Sequence, residues 1–107
     1  MEVLKITPEG AFYEEMDNTL EAFQQAVGGY IEVVPLTLNL AVVCNEEGKN
    51  LGLPVSAFLL DGQMQPYDAM CGTLLVCRSN LDTGEFESIQ PGDRNIMQLH
   101  LQRVRGV

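Results

Sequence analysis

The chain has 107 residues, 46% apolar and 20% charged, which suits one domain around a single core and argues against a disordered tract or a pair of domains. Fifteen acidic residues against six basic ones give a formal charge of −9, a field that repels phosphate backbones and anionic lipid, so neither nucleic acid nor membrane is expected as a direct partner. Met1 to Lys5 lacks the basic-then-apolar pattern of a secretory leader, and no apolar run approaches the roughly 20 residues that span a bilayer, so a cytoplasmic location is expected.

In chain order, Glu2 to Thr7 alternates Leu4 and Ile6 with polar or smaller residues and stops at Pro8-Glu9-Gly10, which predicts a first strand. Ala11 to Met16 is expected to pair back on it as a hairpin. Asn18 is placed to cap a helix whose Glu21 reaches back to it, the reciprocal arrangement of a capping box. Leu20, Phe23 and Val27 recur at helical spacing and predict an apolar stripe facing a sheet, and Gly28-Gly29 ends the helix.

Tyr30 to Leu36 and Leu38 to Cys44 read as strands, rich in β-branched and apolar residues, with Pro35 confined to an edge or a bulge because it has no N–H for the ladder. Asn45-Glu46-Glu47-Gly48 predicts a turn with Gly48 at positive φ. A short helix is expected from Pro54 to Leu60, ended by Asp61-Gly62. Thr73 to Arg78 predicts a further strand, Asn80 to Gly84 a turn, and Glu85 to Ile89 a short strand or extended arm. From Ile96, Met97, Leu99 and Leu101 alternate as in a strand, while Met97, Leu101 and Val104 fit a helix after Pro91-Gly92-Asp93; the helix is the preferred reading. The expected fold is therefore α+β: a small antiparallel or mixed sheet of four to five strands, one main helix from about Thr19 to Val27 packed on a face, and a C-terminal helix.

Chemistry is sparsely represented. The three cysteines, Cys44, Cys71 and Cys77, show no C-x-x-C spacing, lie in or beside apolar runs, and are expected as reduced thiols, with no metal or cofactor. His100 is the only histidine, so a Cys71-His100 pair or a weak hydrolase on Asp68 and Cys71 is the most that nucleophilic catalysis could draw on; the expectation is a protein that is not an enzyme. Gly28-Gly29 follows a helix instead of opening one, so no phosphate-cradling loop is expected, and no calcium-loop pattern occurs. The candidate ligand- or partner-binding residues are Asn45, Glu46, Asn50, Tyr67 and Asp68, polar groups on loops that could converge at the end of a sheet. All fifteen acids precede Arg94, and Arg94, Arg103 and Arg105 form a basic tail suited to clamping a second, acidic copy as a homo-oligomer.

Several local motifs occur together: Thr19-Leu20-Glu21-Ala22-Phe23-Gln24, Val27-Gly28-Gly29-Tyr30-Ile31-Glu32-Val33-Val34, Val43-Cys44-Asn45-Glu46-Glu47-Gly48-Lys49, Gly52-Leu53-Pro54, Tyr67-Asp68 and Gly72-Thr73. In combination the chain, over roughly residues 1 to 80, resembles a family of unknown function numbered thirty-eight forty-six. The resemblance implies no enzymatic activity. It implies a phage, prophage or conjugative-element setting and, with the absence of catalytic signatures, an accessory factor that binds a host macromolecule as a counter-defence factor; the charge of −9 suggests a sharper version, in which carboxylates mimic the phosphates of DNA. Relatives usually follow Gly-Leu-Pro with an Asn-Arg pair, where this chain has Ser56 and Ala57, so an anion contact made by that arginine would be lost. The segment from Arg94 to Val107 falls outside the likeness.

Overall fold

The computed structural model of the chain describes residues 1–104. The protein is mostly β, 44% strand and 12% helix, and its strands form two sheets. The larger sheet contains β1 (Glu2–Thr7), β2 (Gly10–Glu15), β3 (Ile31–Pro35), β4 (Leu40–Asn45), β7 (Leu74–Ser79) and β8 (Phe86–Glu87). Its order is β2-β1-β7-β4-β3, with the short β8 also pairing β7. The smaller sheet is β6 (Pro66–Cys71), β5 (Val55–Leu60) and β9 (Leu101–Arg103), in the order β6-β5-β9. Every pairing among the described residues is antiparallel.

The architecture corrects the expectation of a single four- to five-stranded sheet in an α+β domain. Val55 to Leu60 is the central strand of a second sheet, not a helix, and Pro54 lies before it, where its carbonyl accepts a hydrogen bond from the Gly72 N–H. The segment is apolar on both faces, and a run of six residues with no helical period gains more from burial between two strands than from one and a half helical turns. Pro66 to Cys71, unassigned by sequence, adds the outer strand. The C-terminal segment divides: α2 (Asp93–Met97) is a short helix and Leu101–Arg103 a strand, so the helical and alternating patterns are both used, one after the other.

The molecule has three layers. On one face of the larger sheet, α1 (Leu20–Val27) packs Phe23 and Val27 against Val3, Val43, Leu75 and Cys77. On the opposite face Leu4, Ile6, Val42, Cys44, Leu74 and Val76 meet Ala57, Leu59, Met70 and Leu101 of the smaller sheet. Alternate residues of β4 and β7 therefore serve different cores, which is why both strands read as unbroken apolar runs. Leu20 departs from the expected stripe, being 54% exposed.

The helix cap also differs from expectation. Thr19, not Asn18, is the N-cap: its hydroxyl accepts from the Ala22 N–H at 3.1 Å, while the Asn18 side chain donates to the Phe86 carbonyl. Thr19→Ala is expected to cost about 1 kcal/mol, measured as a lower midpoint in urea at unchanged slope. Gly28 ends α1 at φ 82°, a conformation that favours glycine.

The described part of the C-terminal segment, residues 93 to 104, is part of the fold. Asp93, buried at the start of α2, receives the Nε and Nη2 of Arg78 at 2.8 and 3.1 Å and the Gln90 N–H at 2.8 Å. Arg103 lies in β9, opposite Ala57, and Arg105 lies outside the described residues.

Candidate functional site

The two sheets leave a cleft of about 360 Å³ between β3, the edge of the larger sheet, and β6, the edge of the smaller one. Glu32 and Val34 of β3 form one wall, and Asp68 to Cys71 of β6 the other. Cys44 and Leu59 contribute from the strands within, and the turn after β4 contributes Glu46, Gly48, Lys49 and Asn50. The turn approaches β6 closely at Gly48, where a Cβ would lie 3.1 Å from the Cys71 carbonyl oxygen and 3.3 Å from that of Asn45. Gly48 is thus needed for close approach; positive φ, the expected reason, does not occur there.

Of the five sequence-predicted residues, Asn45, Glu46, Asn50 and Asp68 line this cleft, and Tyr67 does not. Tyr67 is 64% exposed on an adjoining shallow groove, beside Lys49, Phe58 and Asp68. Asn45 is buried and its amide is engaged on both sides: Nδ2 donates to the Val27 carbonyl at 3.2 Å, and Oδ1 accepts from the Glu47 N–H at 2.8 Å. It fastens the turn to the C-terminus of α1. Asn50 donates through Nδ2 to the Glu47 carboxylate at 2.9 Å. Glu46 and Asp68 are exposed carboxylates, and Asp68 pairs with the Lys49 ammonium across the mouth of the cleft. That hydrogen bond raises the Lys49 pKa above the ordinary lysine value.

Sequence reasoning missed Glu32, Lys49 and Cys44 as cleft residues. Glu32 is the only acid in an otherwise apolar strand, and Lys49 lies in the same turn as Glu46, so both carried a signal. Cys44 carried none, because it is indistinguishable in sequence from the core residues before it.

Two of the thiols, Cys44 and Cys77, are held protonated by burial. Burial, with help from Glu32 and Cys71, pushes the Cys44 thiol up to about 11, and its Sγ donates to the Glu32 carbonyl at 3.7 Å. Burial alone pushes Cys77 up to about 12. His100 is not among the residues lining the cleft. Among the described residues no group of three or more His, Cys, Asp or Glu side chains is disposed to hold a metal, and no helix is long and apolar enough to cross a membrane. Ser56 donates its hydroxyl to the Gly72 carbonyl and Ala57 fills the core, so neither offers charge to a ligand.

The fold and cleft together define a small two-sheet β domain with a carboxylate-lined groove between free strand edges. The model of the domain of unknown function DUF3846 matches residues 1–103, and the chain belongs to that family. The match includes the segment from Arg94 to Arg103, which the sequence motifs had left outside the likeness. No curated protein and no solved structure matches the chain.

Proposed function

We propose that this protein is a non-enzymatic binding domain that engages a partner protein through the cleft between β3 and β6, as an accessory factor of a phage or mobile element. The observation that carries the reading is the convergence of two unpaired strand edges on a concave, carboxylate-lined groove. The raised pKa of the Cys44 thiol and the absence of His100 from the groove support binding over covalent chemistry. The mobile-element setting rests on the motif resemblance over roughly residues 1 to 80.

Charge reversal tests it. Glu46→Arg combined with Glu32→Arg is expected to abolish capture of the partner from a host extract, while Glu9→Arg, on the β1–β2 turn, leaves capture intact. Equal capture by both variants would remove the cleft from the reading.

A second reading, a small-ligand site on Asn45, Glu46, Asn50 and Asp68, is favoured by the cleft volume, which lies within the range such sites use. Its carboxylates disfavour nucleotides, whose phosphates they would repel. Native mass spectra of the purified protein carrying a retained small molecule would support it.

A further inference from the structure

We propose that the occupant of the cleft is an extended, cationic segment of the partner, added as a strand along the outer edge of β6. The inference rests on the binding reading above and specifies what is bound.

Among the described residues β6 pairs only β5, and on its other side Asp68 to Cys71 line the cleft. An unpaired edge offers a row of backbone donors and acceptors that an extended peptide satisfies in register, while alternate side chains choose the sequence. Each edge has a proline at one end that cannot donate, Pro35 in β3 and Pro66 in β6; β6 is the better template because four consecutive residues clear of its proline, Asp68 to Cys71, line the cleft, whereas β3 lends only Glu32 and Val34. Between the two edges, Val34, Leu59 and Met70 form an apolar floor for one inward-pointing side chain.

Charge fixes the other requirement. The cleft presents the carboxylates of Glu32, Glu46 and Asp68 against the single ammonium of Lys49, and the whole chain carries −9. A segment alternating apolar residues with arginine or lysine complements both the floor and the rim. In the free protein Lys49 pairs with Asp68, with both side chains largely in solvent, at 60% and 45% exposure. Exposed pairs of this kind contribute little, so an incoming guanidinium, able to grip a carboxylate with two N–H groups, can take the place of Lys49. Lys49 is then a built-in competitor of the ligand.

The test is an amide NMR titration of the full chain with a synthetic peptide of about eight residues alternating valine and arginine. A valine–glutamate peptide and spermidine serve as comparisons. The expected result is saturable shifts in β6, β3 and the turn around Lys49, with amide exchange slowed along β6. Affinity should fall at least about tenfold between roughly 50 and 500 mM salt. Lys49→Gln should tighten binding severalfold, whereas Glu32→Gln with Asp68→Asn should weaken it about tenfold or more. A lysine that merely held the turn together would give the opposite sign.

Equal binding of the acidic peptide, shifts centred on β2, or weaker binding by Lys49→Gln would overturn the proposal. Spermidine binding as tightly as the peptide, with no protection of β6, would replace a strand site with a small-cation site. A partner that needs the cleft but docks there as a folded surface would sink this inference and leave the binding function standing. Saturable peptide binding at β6, with capture insensitive to cleft charge, would do the reverse.

Discussion

Replacing Phe23 by alanine is expected to lower stability by about 3 to 5 kcal/mol. The ring is 2% exposed, lies in the core between α1 and the larger sheet, and packs at 5.2 Å and a 55° tilt against Phe86. An eight-residue helix is too short to persist alone, so α1 is held by the side chains it buries, and Phe23 is the largest of them. At about 4 to 8 °C per kcal/mol the melting midpoint should fall by more than about 10 °C. Leu20→Ala, on the same helix but half exposed, should stay within about 0.5 kcal/mol of the parent. Comparable losses for the two variants in a thermal melt would mean that α1 is not docked as described.

Asp93→Ala is expected to cost about 2 kcal/mol, because it leaves the Arg78 guanidinium, 24% exposed, without its carboxylate and frees the Gln90 N–H. The pair joins β7 to the start of α2, so the variant should also loosen the segment leading to β9, visible as faster amide exchange at Leu101 and Arg103. The pH dependence has a definite sign. The Arg78 hydrogen bonds, aided by the Gln90 N–H and opposed by burial, hold the Asp93 carboxyl below its ordinary value of 3.8. Its contribution is therefore complete above that value and is lost as pH falls through the lower folded-state pKa. Urea midpoints of the parent should fall more steeply below about pH 4 than those of Asp93→Asn. Parallel curves for the two proteins would show that the pair does not stabilise the fold.

What the sequence revealed and what it hid divide along physical lines. Hairpin β1–β2 was legible because Pro8-Glu9-Gly10 punctuates it, and β4 and β7 because their apolar runs, of valine and leucine, are too short for helices. Strand β5 was not, since Pro54 is as welcome at a helix start as before a strand, and Ser56 to Leu60 has no period of either kind. Strand β6 escaped notice because its first half, Pro66-Tyr67-Asp68, is exposed and polar, which in sequence looks like a loop. The cleft followed the same rule. Its turn, from Asn45 to Asn50, was marked by turn chemistry, and Glu32 stood out as a lone acid in an apolar strand, but that it faces Asp68 to Cys71 across a cleft arises from two sheets meeting, a relation with no local trace.

The pairing of β1 with β7 and of β5 with β9 has a consequence for synthesis. On a ribosome the N-terminal hairpin emerges roughly 60 residues before the strand that covers its inner edge, and β5 waits for β9. Until residues 74 to 79 appear, Leu4 and Ile6 have no neighbour on that side, so a truncated or stalled chain would display apolar edges to chaperones and to other nascent chains. Translation speed over the second half of the message thus sets how long each copy remains exposed to aggregation.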